Sequence, residues 1–230
     1  LILRSRVDST ITIGKAILEV ENPPKIWIQM STAHIYGDSP TQLCTEESTT
    51  GYGLAPFVGK AWEEAFKKSK PEGVRGVILR TSFVIGKNGG ALSSLKRIVK
   101  LGLGGTVGKG NQGMSWIHEY DMNEIIYQAI LKKEIEGIYI TSAPNPVSNK
   151  KFMKLLRRKM RILLGLSAPE IITRIGAKLI FKTDPELVLY GRYVKSENLN
   201  KVGYSFKYPE LEKALDNLIK KRQTTICIKS

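Results

Sequence analysis

Apolar positions along the chain fall into two kinds of pattern, short continuous runs and longer stretches with helical spacing. In the segment at 25–37, Ile26, Trp27, Ile28 and Met30 form an almost unbroken apolar run. Such a run suits a strand buried on both faces of a parallel sheet. It stops at two adjacent hydroxyls, Ser31 and Thr32, and the chain then turns through Tyr36, Gly37 and Asp38. A second run, at 73–86, likewise passes from Val77, Ile78 and Leu79 into the hydroxyls of Thr81 and Ser82. A third strand is expected at 137–141, ending at Ala143-Pro144-Asn145-Pro146.

Helical spacing separates these runs. Residues 5–20 place Val7, Ile11, Ile17 and Leu18 on one side of a helix, ended by Asn22-Pro23-Pro24. The polar stretch 39–53 reads as a loop over the mouth of the sheet. From there to about Lys68 a helix carries Phe57, Ala61, Ala65 and Phe66, with Pro56 suited to its first turn. Further helices are expected over 90–101, with Leu92, Leu95, Ile98 and Val99, and from about Asp121, with Met122, Ile125, Ile126, Ala129 and Ile130. Strands alternating with helices predict βαβ units and a parallel sheet. The fold class is therefore α/β, a partial Rossmann-like parallel sheet over residues 1–147.

After Pro146 the pattern becomes mostly helical, with segments at about 148–163, 168–180 and 209–222. Between them Gly203-Tyr204-Ser205-Phe206 is a candidate short strand. We expect residues 148–222 to form a smaller helical lobe closing over the sheet, and 223–230 to be a tail.

Composition changes this picture little. The 42% hydrophobic and 25% charged residues are those of an ordinary globular chain. No apolar run approaches the ~20 residues of a membrane span. The two cysteines, Cys44 and Cys227, have no metal-ligand spacing and suggest no disulfide scaffold, so a reducing cytoplasm is the expected setting. The chain starts without Met, signal peptide or presequence and reads as the middle of a longer protein.

The net charge of +15 raises the question of nucleic acid. The densest basic stretch, 150–161, puts Lys150, Lys154, Arg157, Arg158 and Arg161 on one side of a helix. Phe152, Leu156, Met160 and Leu163 fall on the other. That is a solvated amphipathic helix, and no nucleic-acid fold signature accompanies it.

Gly108, Gly110 and Gly113 spell G-x-G-x-x-G, but after a helix and before Trp116-Ile117-His118 rather than between a strand and a helix. A phosphate loop needs the latter context, where free N–H groups meet the pyrophosphate. Ser31 and Thr32 are better candidates, because ligands of open α/β sheets lie at the carboxyl ends of the strands. The simpler alternative is a buried strand that merely ends in polar residues.

Here the sequence resembles the extended short-chain dehydrogenase/reductase superfamily, in its atypical epimerase-family branch. The resemblance rests on Ser31-Thr32 through Tyr36-Gly37, Lys60-Ala61-Trp62-Glu63 and Leu79-Arg80-Thr81-Ser82. It continues through Leu101-Gly102-Leu103-Gly104-Gly105, Trp116-Ile117-His118 with Asp121, Ala143-Pro144-Asn145-Pro146-Val147, and Tyr208-Pro209-Glu210-Leu211. It implies an NAD(P)-dependent epimerase/dehydratase domain, with NADP or NAD as cofactor and a small polar, sugar-like substrate. By the same resemblance Thr32 binds a substrate oxygen, Lys60 holds the nicotinamide ribose, and Ser31, Arg80 and Thr81 lie on the cofactor side. Tyr36, His118 and Asn145 fall on the substrate side. The elements that hold adenosine and pyrophosphate in the family are expected to precede Leu1. In their absence an exposed sheet edge would favour self-association.

One position departs from the superfamily. It acts through Tyr-x-x-x-Lys, in which the Lys lowers the phenol's pKa from about 10. With Lys60 in the Lys position, the Tyr position is Pro56, and none of the nine tyrosines precedes a Lys by four residues. Tyr52 is the nearby phenol and reaches a site only by folding back from its loop. Arg80 either anchors an anion or pairs across the sheet. His118 either exchanges protons or caps backbone, and Asn145 either meets a ligand or serves a turn. A non-catalytic nucleotide-binding or regulatory relative on the same fold is the alternative to an enzyme.

Overall fold

The computed structural model describes residues 1–169 and 189–219. The helix expected at 168–180 falls almost wholly outside the described residues, as does the tail. In chain order the first elements are α1 (Ile2–Glu19), β1 (Ile26–Thr32), a 3-10 turn (Ala33–Tyr36), β2 (Ser39–Cys44), α2 (Leu54–Ser69), β3 (Arg75–Thr81), β4 (Phe83–Ile85) and α3 (Gly90–Lys100). Then come β5 (Gly113–Met114), β6 (Trp116–His118), α4 (Glu119–Leu131), β7 (Gly137–Thr141), β8 (Val147–Ser148), α5 (Asn149–Met160), β9 (Arg192–Val194), α6 (Glu197–Lys201) and α7 (Leu211–Leu218).

The central sheet is parallel, in the order β1-β3-β7. Alternation along β3 builds its two layers. Ile78 packs with Ile17, Trp27 and Phe66 beneath α1 and α2. Val77 and Leu79 face α4, in a cluster with Ile125, Ala129, Tyr139 and Leu199. The expected pairing holds: Thr32 lies opposite Thr81 in register, so both hydroxyls sit at one end of the sheet.

The run at 73–86 is two strands rather than one. At Ser82 the chain leaves β7 and Phe83 takes a backbone bond from its N–H to the Ser115 carbonyl. β4 then pairs parallel with β6. This shift opens a gap between the central sheet and the four-stranded sheet β2-β9-β5-β8.

Several expectations need correction. The inward face of α1 is Thr10, Gly14 and Ile17, while Ile11 and Leu18 are exposed. Close contact with α2 is the cause: a Cβ on Gly14 would lie 2.5 Å from the Ser69 carbonyl oxygen, so a glycine is required. Phe57 is likewise exposed, because α2 turns Pro56, Gly59, Glu63 and Phe66 inward. The stretch at 39–53 is not all loop: β2 pairs parallel with β9, about 150 residues away, and tertiary pairing overrides its polar composition.

No strand forms at 203–206. Tyr204 donates its hydroxyl to Asp121, and the N–H groups of Lys207 and Tyr208 bond the same carboxylate instead of a ladder.

In α5, Phe152 and Leu156 are buried as expected and Lys150, Lys154 and Arg158 are exposed, but Arg157 is half-buried and Leu163 lies beyond the helix and is exposed. The core under α5 joins both parts of the chain, since Ile85, Leu92 and Trp116 pack with Phe152, Leu156 and Leu215. No described helix is long and apolar enough to cross a membrane.

Candidate functional site

At the carboxyl end of β1 the backbone tightens into the 3-10 turn. Thr32 caps that turn, its Oγ1 accepting from the His34 N–H at 3.1 Å. Gly37 closes it with φ of 69°, in the left-handed region that favours glycine. Directly above lies a slot of about 180 Å³ lined by Thr32, His34, Tyr52, Pro56, Trp62 and Tyr190.

A second chamber of about 290 Å³ shares His34, Tyr190 and Arg192 with the slot. It lies in the gap left where β4 diverges from β7. Its walls are largely apolar, from Phe83, Leu95, Ile98, Leu103, Met114 and Met153. Slot and chamber together form one cleft at the carboxyl ends of the strands, the position expected for ligands in open α/β sheets.

The residues predicted from sequence divide into three groups. Thr32 and Tyr52 line the slot. Tyr52 is 92% exposed and lies under the Lys60 ammonium, with Nζ 5.8 Å from the ring centroid. Lys60 itself lies just outside the slot and donates to the Gly51 carbonyl at 3.4 Å. These three residues are therefore neighbours, although only two face the cavity.

The second group is a buried network beneath the slot. Arg80 forms a two-pronged pair with Glu63 of α2, Nε to Oε1 at 2.9 Å and Nη2 to Oε2 at 2.8 Å. Its Nη1 donates to the Tyr36 hydroxyl at 2.8 Å, and Ser31 donates to Glu63 Oε1 at 2.7 Å. Burial works to lower the pKa of Arg80, but the bond and charge of Glu63 outweigh it and hold the group above its usual range. Burial raises the Tyr36 phenol to about 12, against the pull of Arg80, so it stays protonated. Arg80 thus pairs with a helix and a turn rather than across the sheet. Thr81 donates back to the Leu79 carbonyl at 3.1 Å.

His118 and Asn145 form the third group, away from the cleft. His118 caps α4, its Nδ1 accepting from the Tyr120 N–H at 2.9 Å, and its ring stacks on Tyr208. Asn145 donates to Glu210 Oε1 and the Pro209 carbonyl near the start of α7. Neither lines the slot or the chamber.

Sequence reasoning missed His34, Tyr190 and Arg192. His34 follows Thr32 by two residues, so the spacing in the turn was its available signal. Burial, helped by the charge of Arg192, lowers its pKa from 6.5 to about 3, leaving a neutral imidazole. Arg192 is 5% exposed, and burial lowers it to about 10, still cationic at neutral pH. Its side chain makes one hydrogen bond among the described residues, from Nη2 to the Tyr190 carbonyl at 2.9 Å.

The sequence matches the NAD dependent epimerase/dehydratase family over residues 2–140 and a domain of unknown function, DUF1731, over 168–218. The chain belongs to the NAD dependent epimerase/dehydratase family. It is 30% identical over 220 residues to the Epimerase family protein SDR39U1 of Mus musculus, covering 95% of this chain and 73% of that protein. It is 32% identical over 226 residues to the Epimerase family protein YfhF of Bacillus subtilis, covering 97% and 72%. Among solved structures, human epimerase family protein SDR39U1 with NADPH superimposes with a TM-score of 0.87 at 26% identity, covering 94% of this chain and 72% of that one.

The cleft fits one end of a nicotinamide dinucleotide. A slot walled by Pro56, Trp62 and Tyr190, with a hydroxyl on its floor, suits a flat ring. Gly108, Gly110 and Gly113 do not supply a phosphate cradle, since they run from the loop after α3 into β5 and no helix begins at them.

Proposed function

We propose that this chain is an NAD(P)-dependent oxidoreductase of the epimerase/dehydratase type, acting on a small molecule that carries a carbinol or carbonyl group. The observation that carries this reading is that Thr32 and Tyr52 line one slot at the end of β1, with Lys60 over the Tyr52 ring. NADPH in the human relative supports a nicotinamide as the group the slot receives. Bound there, the nicotinamide supplies hydride transfer.

The protein's own residues have separate tasks. The Thr32 hydroxyl binds a substrate carbinol or carbonyl oxygen, and its lone pair already engages the His34 N–H, which fixes its direction. Lys60 holds a ribose hydroxyl, its ammonium lying over the Tyr52 ring. Tyr52 exchanges its phenol proton with the substrate oxygen. Pro56, buried in the first turns of α2, takes no part in proton transfer. Trp62 and Tyr190 wall the slot.

Calorimetric titration of the protein with NADPH and NADH tests the reading. Micromolar to millimolar binding of either is expected, and no binding at millimolar concentration would sink it. A second reading, a non-catalytic binding relative, is favoured by Pro56. Cofactor-dependent turnover abolished by Thr32→Ala would exclude that reading.

β1 is the outer strand of the described central sheet, and Ile13 and Leu18 of α1 are exposed. Both features support self-association through that edge. Sedimentation of the isolated chain checks it, a monomer at all concentrations being the contrary outcome.

A further inference from the structure

Arg192 is an unusual buried cation. A buried charge is ordinarily paired, because taking it out of water is costly. Among the described residues no carboxylate lies within salt-bridge distance of it. Asp38 is close enough to act on it electrostatically, but its Oδ1 accepts from the Gly191 N–H at 3.1 Å. Among the described residues, the one fully sealed side-chain polar atom without a partner is Thr141 Oγ1. The unpaired Nε and Nη1 of Arg192 are therefore not sealed; they open onto the cleft that Arg192 lines.

The rest of the chamber sharpens the point. Apart from His34 and Tyr190, its other polar side chains are already engaged. Ser115 donates to the Arg192 carbonyl, Gln112 to the Val107 carbonyl and Ser82 to the Thr141 carbonyl. Asn149 accepts from the Val107 N–H. No acid lines the chamber among the described residues. His34 beside Arg192 is uncharged and offers an imidazole nitrogen but no competing charge. What remains is a single free guanidinium fork at the neck of an apolar chamber. Guanidinium forks match carboxylate and phosphate oxygens two at a time.

We propose that Arg192 is the anion subsite of this cleft, and that the substrate carries a carboxylate or phosphate monoester joined to an apolar body. The acid group meets Arg192 at the neck, between slot and chamber. The apolar body lies against Phe83, Leu95, Leu103 and Met153, and the oxygen-bearing carbon extends into the slot toward Thr32. This assignment rests on the oxidoreductase reading for the word substrate; the anion subsite itself rests on Arg192 alone.

The test uses three probes of one chain length on the whole protein: octanoate, octyl phosphate and 1-octanol, each titrated calorimetrically. The acids should bind at least about tenfold more tightly than the alcohol, and the preference between the two acids assigns the head group. Arg192→Gln should abolish that preference and Arg192→Lys should retain part of it. Equal affinity for acid and alcohol, or a preference surviving in Arg192→Gln, would overturn the assignment.

Should Arg192→Gln fail to fold, phenylglyoxal labelling of the unaltered protein decides, read at the peptide carrying Arg192. Protection by octanoate or octyl phosphate but not by octanol is expected, and no protection would refute it. NADPH titrated into the same samples separates the two claims. Acid binding without NADPH binding retires the oxidoreductase reading alone; NADPH binding without acid preference retires the anion subsite alone.

Discussion

Two buried arginines, Arg192 lining the cleft and Arg80 in the network at the end of β3, are treated in opposite ways. Arg80 is 6% exposed and Arg192 5%, so burial costs them about equally. Arg80 has its fork filled by Glu63 and its remaining donor taken by Tyr36. Arg192 has one carbonyl and an open side. The net result is opposite in sign, with Arg80 held above the usual arginine range and Arg192 pulled down to about 10. A cation whose partners come from α2 and the 3-10 turn locks the elements that carry Thr32. A cation left short of partners beside a cavity is available to something else. Burial alone does not separate these roles; the partner set does.

The largest effect expected from this contrast is on stability. Glu63→Gln leaves Arg80 buried beside a neutral amide and should cost about 3–5 kcal/mol in denaturant unfolding. Replacing both partners with apolar residues, Glu63→Leu with Arg80→Met, should recover most of that loss. Arg192→Met removes a charge that has no carboxylate and should change stability by less than about 1 kcal/mol in either direction. If Arg192→Met unfolds the protein as severely as Glu63→Gln, the two arginines are both scaffold and the contrast fails.

The next effect is a pH dependence. The His34 imidazole has a pKa of 6.5 in the unfolded chain and about 3 in the folded one. Between those values the unfolded state holds the extra proton, so stability rises with pH across that window. The contribution is complete above pH 6.5 and is lost as pH falls toward 3. One proton corresponds to a slope of up to about 1.4 kcal/mol per pH unit. Melting temperature should therefore drop steeply below pH 6, and His34→Gln should flatten that part of the profile. An unchanged profile would mean that His34 is not held neutral beside Arg192.

Much of this fold was legible in the sequence. Continuous apolar runs located β1, β3 and β7, and hydroxyls at their ends located the cleft. What failed did so for physical reasons. The face of α1 was misassigned because tight helix packing selects Gly14 and Thr10 over larger apolar residues. The strand at 39–44 was invisible because its pairing partner, β9, is remote and its own residues are polar. For the candidate site, local motif pointed to Thr32, which lines the slot, and to Lys60, which lies just outside it. The site was illegible at Arg192, where three residues of strand wedge between β2 and β5. No periodicity marks a residue whose importance comes from a cavity formed by five other elements. His118 shows the reverse error: its chemistry stood out in the sequence, but its nitrogens are committed to a helix cap and Asn217.

A smaller effect is expected at Thr32. Thr32→Ala removes the acceptor for the His34 N–H and should cost about 1 kcal/mol, the usual value of a lost cap. Thr32→Ser keeps the hydroxyl and should restore both stability and any cofactor-dependent turnover. Restoration of stability without turnover would show that the methyl group, and not only the hydroxyl, shapes the slot.

Lys60→Ala should have the smallest effect on folding, and for that reason it discriminates well. Lys60 is exposed, and its ammonium makes one long bond to Gly51 and a loose contact with the Tyr52 ring. Exposed contacts of this kind contribute about 0.5–1 kcal/mol at most, and the better helix propensity of Ala at a position inside α2 offsets part of the loss. The melting temperature should therefore move by no more than a degree or two. NADPH affinity should fall by about tenfold, because the ammonium lies over the Tyr52 ring within reach of a ribose hydroxyl. Tyr52→Phe keeps the ring under Lys60 and separates the two contributions. It should leave NADPH affinity nearly unchanged while lowering turnover. A large drop in melting temperature for Lys60→Ala would make the residue structural, and unchanged NADPH affinity would remove it from the site altogether.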